Sequence, residues 1–186
     1  AGAELVRILS GHPDVDVAVL TSRQYAGELF SSIFPAMRGV IDSVCEEYSE
    51  EGVCERTDVV FTALPHKIPM DIVPGLLAGG KKVVDLSADF RFQDVLTYEK
   101  YYQMHSAKKL LENAVYGLCE VYFEKIAAAD LVGNPGCYPT SALLPLIPLV
   151  KSKLIDPSSI IIDAKSGVSG AGRSPSLSVH YCEANE

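Results

Sequence analysis

The sequence predicts an α/β protein built on a parallel β-sheet, and two observations carry that prediction. Residues 58–64 and 82–86 are short apolar runs rich in β-branched side chains, which is typical of buried strands. Residues 69–77 lie between them with apolar side chains at helical spacing; Pro74 is expected to cut or kink this helix, and Gly79-Gly80 to end it. A strand, a helix and a strand within roughly 30 residues form a βαβ unit, whose strands are parallel with a right-handed crossover.

The residues before this unit predict one more helix and one more strand. Residues 5–9 carry an apolar helical stripe, which Gly11-His12-Pro13 ends. Residues 15–21 follow as a predicted strand. The unbroken apolar run at 17–20 within it is typical of a buried parallel strand.

The later part of the chain predicts irregular helices followed by two further strands. Residues 91–130 are expected to be helical and irregular, and Leu131-Val132 is a short strand candidate. A long apolar helix is predicted over 140–154 and a strand over 160–164. Because loop chemistry differs between the two halves, we place a boundary between structural regions near residue 135.

Composition excludes several classes of protein. The 186 residues carry 16 Lys and Arg against 24 Asp and Glu, and the net charge of -8 disfavours an extended nucleic-acid surface. The chain is 48% hydrophobic, which argues against disorder, yet no apolar run approaches the roughly 18 residues of a membrane span. Five cysteines without a C-x-x-C pair argue against a disulfide framework or a metal site. Free thiols without a secretory signal predict a cytoplasmic protein.

Cys137 is the strongest candidate for chemistry. It follows a predicted strand and two turn-forming residues, and it immediately precedes the long apolar helix. The unpaired N–H groups and the positive dipole end of a helix N-terminus stabilise a thiolate. Pro139 fits the first helical turn, and Gly136 lets a ligand or another backbone approach closely. The local pattern fits a nucleophilic thiolate, and it also fits a small buried thiol at a strand-to-helix turn.

The N-terminal helix and the strand after it match the second part of a dinucleotide-binding βαβ unit. A helix opening at Ala1-Gly2 is followed by a strand that ends in Thr21-Ser22-Arg23. A site that prefers NAD places an acidic residue on the ribose at this point. Two hydroxyls and a guanidinium instead suit a 2′-phosphate, which favours NADP over NAD. An Arg after a strand is also common as a solvated surface residue.

Two further segments lie where open α/β sheets bind ligands, after predicted strands. Arg91 can hold an anion bidentately or pair with Asp85 or Asp89, and the spacing does not decide between these readings. Residues 166–173 contain three glycines and two serines but no P-loop lysine. They fit a cradle for a nicotinamide or a phosphate, and equally a surface loop.

The four histidines are weaker candidates than Cys137. His12 lies in a predicted turn, His105 in a polar helical stretch and His180 near the end of the chain. His66 follows a strand end in Leu64-Pro65-His66, where it could contact a cofactor. A thiol enzyme needs an acid/base group, and structural or solvated roles are expected for these four.

Together, these segments resemble the N-acetyl-γ-glutamyl-phosphate reductases, NADPH-dependent enzymes of arginine biosynthesis. The stretch Gly-Asn-Pro-Gly-Cys-Tyr-Pro-Thr at 133–140 is the most specific match, because it resembles the active-site signature of that family. The resemblance identifies Cys137 as the nucleophile. The other matching segments follow family order over essentially the whole chain: Ala1–Leu5, Thr21–Arg23, Ala63–His66, Asp85–Arg91, Tyr116–Leu118 and Ser166–Arg173.

The resemblance implies an architecture and a reaction. An incomplete Rossmann-like parallel sheet would form an NADP-binding domain over 1–135, and 136–186 would begin an α+β catalytic domain. The Cys137 thiolate would attack the γ-acyl phosphate, expel phosphate and form a thioester, which NADPH would reduce to the semialdehyde. The implied partners are a small acyl phosphate and, in the full-length enzyme, further copies in a homodimer or homotetramer.

The same resemblance assigns roles to individual residues. The hydroxyls of Thr21 and Ser22 and the guanidinium of Arg23 would face the adenosine phosphate. Leu64 and Pro65 would line the cofactor cleft, and Gly167 and Gly170 would lie near the nicotinamide. The implied cofactor-binding residues are Gly2, Thr21, Ser22, Arg23, Leu64, Pro65, Gly167 and Gly170. Arg91 and Asn134 are the implied substrate or phosphate contacts.

The sequence also departs from the family pattern. The first strand and its early glycines would precede Ala1, and the acid/base histidine is expected beyond residue 186. We therefore expect an internal part of the enzyme that cannot complete turnover alone. Lys67 stands where the family usually has Gly, which puts a close backbone approach to the cofactor in doubt. Cys119 stands where Pro is usual, and only a local turn should change.

Other functions remain open from the sequence. A reductase for N-protected aminoadipyl phosphate in lysine biosynthesis differs by one substrate methylene, worth roughly 1–3 kcal/mol of discrimination. Aspartate-semialdehyde dehydrogenases usually have a different sequence around their cysteine. A thiol hydrolase or acyltransferase would use Cys137 without nicotinamide, and a scaffold protein would keep the fold without catalysis.

Overall fold

The computed structural model describes residues 1–167 and 170. The chain divides into two compact units, Ala1–Gly136 and Cys137–Glu186. Eight short α-helices lie among the described residues: α1 Gly2–Leu9, α2 Phe30–Ile33, α3 Glu50–Arg56, α4 Ile68–Ala78, α5 Val95–Tyr101, α6 Lys108–Leu111, α7 Cys119–Ala128 and α8 Cys137–Lys151. None of them is both long enough and apolar enough to cross a membrane. The strands are β1 Val59–Thr62, β2 Lys82–Asp85, β3 Val115–Tyr116 and β4 Leu131–Gly133.

The four strands form one sheet in the order β1-β2-β4-β3, and every pair in it is parallel. Val60 of β1 lies opposite Val83 of β2, and Val84 of β2 lies opposite Val132 of β4. Helix α4 makes the crossover from β1 to β2, so the predicted βαβ unit is confirmed. The α/β class with a Rossmann-like parallel sheet is confirmed with it.

The main core lies where α4 packs on this sheet. Val73 and Leu76 of α4 are fully buried, and Pro74 between them does not cut the helix. Apolar burial of this kind stabilises the folded state by roughly 1.5–3 kcal/mol for each large side chain. This gain offsets the loss of one helical hydrogen bond, since Pro74 has no backbone N–H to donate. The buried members of the cluster are Val53, Val73, Leu76, Val83, Phe90, Leu111, Ala114 and Leu131.

A second, smaller cluster lies in the N-terminal part of the first unit. Val6, from the apolar stripe of α1, packs there with Phe30 of α2 and with Met37 and Cys45. The predicted helix over 5–9 is confirmed by α1.

The strand predicted over 15–21 is wrong for most of its length. Residues 15–20 have no strand assignment, and Thr21 makes one isolated parallel bridge, to Glu46. The backbone N–H of Glu46 donates to the carbonyl of Leu20 at 2.8 Å. An extended apolar run becomes a strand only when a neighbour pairs with its N–H and C=O groups, and one bridge does not make a ladder.

The strand predicted over 160–164 is also wrong. The structure assigns no strand there, and Ile161 is 93% exposed. Triple isoleucine favours extended backbone, but no described strand pairs with it. The apolar helix predicted over 140–154 is confirmed by α8, which begins three residues earlier, at Cys137 itself.

Candidate active site

The carboxyl ends of the four strands lie in one row at one edge of the sheet. Thr62 of β1 pairs with Asp85 of β2, Asp85 with Gly133 of β4, and Gly133 with Tyr116 of β3. The turns that follow β1, β2 and β4 therefore meet at this edge. Open parallel sheets bind their ligands there.

A buried carboxylate anchors this edge. Asp85 is fully buried, and its two oxygens accept hydrogen bonds from the hydroxyls of Thr62 at 2.6 Å and Ser87 at 2.5 Å. Burial raises the pKa of the Asp85 carboxyl above its ordinary value, and the hydrogen bonds from Ser87 and Thr62 offset part of that rise. The Ser87 hydroxyl also accepts the backbone N–H of Asp89 at 3.0 Å, so it shapes the turn after β2.

A second buried carboxylate joins the turn after β1 to the turn after β2. Asp89 accepts the backbone N–H of Lys67 and the hydroxyl of Tyr98, both at 2.7 Å. Its carbonyl oxygen lies 2.8 Å from Nε2 of buried His105. The pKa of the Tyr98 hydroxyl is raised above its ordinary value, mainly by burial and to a smaller extent by the hydrogen bond to Asp89. His105, predicted in a polar helical stretch, is instead a buried structural residue between α5 and α6.

Lys67 has a backbone conformation that favours glycine. Its φ is +82°, and it directly precedes α4. A non-glycine residue held in a sparsely populated region costs of order 1–3 kcal/mol. The resemblance predicts Gly at this position as the usual residue, and the positive φ gives the physical reason. The hydrogen bond from Lys67 N–H to Asp89 helps to hold the strained turn in place.

Arg91 ties the turn after β2 to the turn after β4. Its Nε donates to the carbonyl of Asn134 at 2.6 Å, and its Nη2 donates to the carbonyl of Leu86 at 2.8 Å. The structure brings the two predicted substrate contacts together through these backbone bonds. No described ion pair joins Arg91 to Asp85 or Asp89, so its guanidinium partners are carbonyls instead of either carboxylate.

The turn that carries Arg91 passes directly over β4. A Cβ built on Gly133 would overlap the carbonyl oxygen of Phe90, and only glycine leaves room for that approach. Beyond Gly133, the Asn134 backbone N–H donates to the carbonyl of Asp85 at 2.8 Å, and its side-chain amide donates to the carbonyl of Pro135 at 3.1 Å. Asn134 is thus held to β2 and to Arg91.

Cys137 is the first residue of α8, in the second unit, and its side chain is exposed. The sequence-based expectation that it lies at a helix N-terminus is confirmed, and the alternative of a small buried thiol is wrong. Cys45, in contrast, is buried, and burial raises the pKa of its thiol. The role of Cys137 as nucleophile stays a prediction.

The predicted cofactor residues of the first unit lie at exposed chain segments. A Cβ on Gly2 would lie 3.7 Å from Ala63 Cβ, so the start of α1 is adjacent to the turn after β1, where Leu64 and Pro65 are exposed. A helix N-terminus beside a strand end is the arrangement that binds a pyrophosphate. The local geometry therefore fits a dinucleotide.

The Thr21-Ser22-Arg23 segment follows the bridge to Glu46. Thr21 and Arg23 are exposed, and the Ser22 hydroxyl accepts the backbone N–H of Tyr25 at 3.2 Å. Arg23 forms no ion pair with any described residue. An unengaged guanidinium beside two hydroxyls fits an added phosphate group.

The predicted glycines of the second unit are joined by one backbone hydrogen bond. The backbone N–H of Gly170 donates to the carbonyl of Gly167 at 3.0 Å, and both residues are exposed. Their predicted place beside a nicotinamide stays a prediction. Arg173, His180 and Cys182 lie outside the described residues.

Sequence reasoning missed the buried side chains that support the site. The Asp-x-Ser-x-Asp spacing over 85–89, directly after a strand, is a signal that could have identified the two carboxylates. Tyr98 and His105 come from a different part of the chain, and no local pattern connects them to Asp89. Among the described residues, no group of three or more His, Cys, Asp or Glu side chains could hold a metal ion.

A cavity of about 660 Å³ lies away from this site, at the opposite edge of the sheet. It is lined near the starts of β2, β3 and β4, by Lys81, Val115 and Asp130 among others. The candidate site is assigned instead from the convergence of turns and polar groups at the carboxyl ends of the strands, where open parallel sheets bind ligands.

Comparison with known proteins gives close relatives over the whole chain. Proteins called N-acetyl-gamma-glutamyl-phosphate reductase from Desulforapulum autotrophicum, Desulfotalea psychrophila and Syntrophobacter fumaroxidans are 58%, 52% and 53% identical to it over 185 residues. The match covers 100% of this chain and 54% of each relative, so the chain spans about half their length. The resemblance inferred from the motifs is confirmed.

Solved structures with low sequence identity share the fold. The aspartate semialdehyde dehydrogenase with NADP from Candida albicans is 20% identical, with a TM-score of 0.57 over 81% of this chain and 44% of that one. The aspartate semialdehyde dehydrogenase II complexed with ASA from Vibrio cholerae is 16% identical, with a TM-score of 0.58 over 81% of this chain and 43% of that one.

Two family models match in succession along the chain. The model described as "Semialdehyde dehydrogenase, NAD binding domain" matches residues 1–129. The model described as "Semialdehyde dehydrogenase, dimerisation domain" matches residues 137–186. The chain therefore belongs to the semialdehyde dehydrogenase family.

Proposed function

We propose that this chain supplies the cofactor-binding region and the nucleophile of an NADPH-dependent N-acetyl-γ-glutamyl-phosphate reductase of arginine biosynthesis in the cytoplasm. The cofactor region corresponds to 1–135, and 136–186 begins the catalytic domain. The observation that carries the proposal is the exposed Cys137 thiol at the first residue of α8, within the Gly-Cys-Tyr-Pro-Thr sequence. The names and identities of the relatives support the same activity.

The first chemical step belongs to Cys137. Its thiolate sulfur attacks the γ-carbonyl carbon of the acyl phosphate, the carbon–oxygen bond to phosphate breaks, and inorganic phosphate leaves with the electron pair. The product is a thioester on Cys137. When bound, NADPH supplies the hydride that converts this thioester to the semialdehyde and regenerates the thiolate. Covalent catalysis divides one difficult reduction into two easier steps.

The chain's own residues bind and orient the cofactor. Thr21, Ser22 and Arg23 hold the 2′-phosphate, a role supported by the exposure of Thr21 and Arg23. The start of α1 at Gly2, beside the exposed Leu64-Pro65 turn, receives the pyrophosphate and the inner part of the dinucleotide. Gly167 and Gly170 approach the nicotinamide.

Arg91 and Asn134 act at the substrate end of the site. Because the Nε–H and one N–H of Nη2 of Arg91 already bind backbone carbonyls, an anion contact uses the remaining N–H groups of Nη1 and Nη2. The bonds of Asn134 to Asp85 and Arg91 hold the start of the turn after β4.

The full-length protein forms a homodimer or homotetramer in this proposal. Support comes from the family model named for dimerisation over 137–186 and from the apolar side chains exposed in that unit, such as Leu154 and Ile161. Sedimentation of the full-length protein would test it. A monomer at micromolar concentration would contradict it.

The central experiment replaces Cys137 in the full-length protein. We expect Cys137→Ser to abolish reduction of N-acetyl-γ-glutamyl phosphate while the NADPH affinity, measured by fluorescence titration, stays unchanged. The matched control is Cys119→Ser, since Cys119 is also exposed but begins a different helix, α7. Retained activity in Cys137→Ser would refute the covalent mechanism, and absence of NADPH binding by the wild type would favour a hydrolase. Assay of the wild type on the aminoadipyl acyl phosphate tests the alternative substrate.

A further inference from the structure

An arginine of α3 forms an ion pair with a glutamate beside the Thr21-Ser22-Arg23 segment. Nη1 and Nη2 of Arg56 donate to the two carboxylate oxygens of Glu46 at 3.0 and 2.7 Å. Nε of Arg56 donates to the carbonyl of Gly52, one turn earlier in α3, at 3.0 Å. Three bonds therefore hold the guanidinium in one orientation, and two of them form the bidentate contact that arginine makes with a carboxylate.

The backbone of Glu46 holds the Thr21-Ser22-Arg23 segment to the rest of the first unit. Its N–H donates to the carbonyl of Leu20, and its carbonyl accepts the N–H of Ser22, both at 2.8 Å. Thr21 is its bridge partner in this parallel pairing. Residues that pair directly across two extended segments present their side chains on the same face. The Glu46 carboxylate and the Thr21 hydroxyl therefore extend from neighbouring positions on one face.

The segment 44–46 also holds the far end of the loop that begins at Thr21. The N–H of Cys45 donates to the carbonyl of Glu28 at 2.8 Å, and the carbonyl of Cys45 accepts the N–H of Gly27 at 2.7 Å. Because backbone bonds close this loop at both ends, its first residues have a defined position relative to Glu46.

A carboxylate in this position affects the two nicotinamide dinucleotides differently. An acidic residue beside the adenosine ribose favours NAD, because it binds the ribose hydroxyls, and its charge repels the 2′-phosphate of NADP. In this protein, Arg56 occupies both oxygens of Glu46 and neutralises their charge. Both side chains are 44% exposed, so the pair lies at the surface, where a bound ligand can approach it.

We propose that Arg56 is a positioning residue for cofactor specificity: it holds and neutralises Glu46, so that the Thr21-Ser22-Arg23 segment accepts a 2′-phosphate. The inference deepens the proposed function, on which it rests for the location of that phosphate. Arg56 acts through Glu46 and makes no contact with the cofactor itself. Specificity of this kind comes from the removal of a repulsive charge as much as from new attraction.

An ordinary surface ion pair would have different consequences. Exposed pairs contribute little to stability, and an arginine in the last turn of a helix also interacts favourably with the helix dipole. Either of those roles would change the folding of the protein or the affinity for both dinucleotides by the same factor. The proposed role discriminates between two ligands that differ by one phosphate group.

The experiment uses the full-length protein and measures the dissociation constants of NADPH and NADH by fluorescence titration at low ionic strength. We expect Arg56→Gln to weaken NADPH binding roughly tenfold and to leave NADH binding unchanged or tighter, because the freed Glu46 carboxylate repels only the added phosphate. The double variant Arg56→Gln with Glu46→Gln should return NADPH binding to within about threefold of the wild type. Lys82→Gln is the matched control, since it removes one positive charge from an exposed ion pair, with Asp130, at the opposite edge of the sheet.

Four results would overturn the inference. The first is an equal loss of NADPH and NADH affinity in Arg56→Gln, which would make the pair structural. The second is a change of less than about twofold in the NADPH constant of Arg56→Gln while its thermal unfolding matches the wild type. The third is a double variant that does not recover, because the effect must act through Glu46. The fourth is the same change of cofactor preference in Lys82→Gln, which would show a general effect of net charge.

A shorter probe keeps the inference separate from the proposed function. Adenosine 2′,5′-bisphosphate and AMP differ by the same phosphate group and require neither nicotinamide nor catalysis, so calorimetric titration of the wild type and Arg56→Gln measures the discrimination directly. If Arg56→Gln discriminates as the wild type does while the enzyme reduces its acyl phosphate, the inference fails and the proposed function stands. If discrimination depends on Arg56 in a protein that does not reduce N-acetyl-γ-glutamyl phosphate, the proposed function fails and the inference stands. A wild type without preference for the 2′-phosphate would overturn the inference.

Discussion

Two segments of similar sequence adopt different backbone structures in this protein. Residues 82–86 are Lys-Val-Val-Asp-Leu and residues 160–164 are Ile-Ile-Ile-Asp-Ala, and both sequences favour a strand. The first forms β2, with β1 on one side and β4 on the other, and Val83 is fully buried. The second has no strand assignment, and Ile161 is almost fully exposed. Strand formation here depends on neighbours that satisfy the backbone, more than on propensity.

The prediction with the largest expected effect tests this comparison by placing one aspartate in each of the two segments. Val83→Asp would place a carboxylate in the centre of the sheet without a partner, and we expect a loss of at least about 4 kcal/mol in the free energy of unfolding. Ile161→Asp should change it by less than about 0.5 kcal/mol. Urea denaturation of the 186-residue chain measures both. Similar losses in the two variants would contradict the comparison.

A second test compares two glycines, one in each unit. Gly133→Ala must push the Phe90 carbonyl away from β4, and we expect a loss of about 3 kcal/mol because backbone cannot move aside cheaply. Gly167→Ala meets nothing within 4 Å, so its stability should stay within about 0.5 kcal/mol of the wild type. Thermal unfolding measures the difference. Equal melting temperatures would show that the turn over β4 is looser than described.

The third test uses the buried carboxylate at the end of β2. Because burial raises the folded-state pKa of Asp85, the folded protein holds this proton more tightly than the unfolded chain. Stability must therefore fall as pH rises from the ordinary value of 3.8 through the raised pKa, by about 1.4 kcal/mol for each unit of the rise. Asp85→Asn removes this loss.

The measurement for Asp85 is a series of urea denaturation curves across that pH window. The wild type should lose stability relative to Asp85→Asn as the pH increases. Asp163→Asn is the control, since Asp163 follows the corresponding isoleucines of the second unit and is exposed. Parallel pH profiles for the wild type and Asp85→Asn would contradict the pKa direction.

The smallest expected effect concerns the two non-glycine residues with positive φ. Lys67 has φ +82°, ahead of α4, and Lys153 has φ +56°, just after α8. The second value is ordinary for the left-handed region, whereas the first is not. We expect Lys67→Gly to increase the free energy of unfolding by about 1 kcal/mol, and Lys153→Gly by less, since glycine removes strain but adds unfolded-state entropy. A loss of stability in Lys67→Gly would show that the turn is unstrained.

Several features of the site could be predicted from the sequence because their causes are local. The βαβ unit follows from apolar periodicity and glycine punctuation, and Cys137 at a helix start follows from Pro139 and the apolar residues after it. Other features were not accessible in this way. The partners of Arg91 proved to be the carbonyls of Leu86 and Asn134, and the second of these is 43 residues away in the chain.

The sequence by itself determined the βαβ unit, the parallel sheet and the helix-start position of the Cys137 thiol. Only the tertiary structure decided that 15–20 and 160–164 do not become strands, that Asp89 joins Lys67 to Tyr98, and that His66 accepts the backbone N–H of Ala88. The physical reason is the distance along the chain over which each kind of interaction acts. Propensity, periodicity and capping act within a few residues, whereas ladder pairing, burial of carboxylates and hydrogen bonds between distant turns depend on groups that only folding brings together.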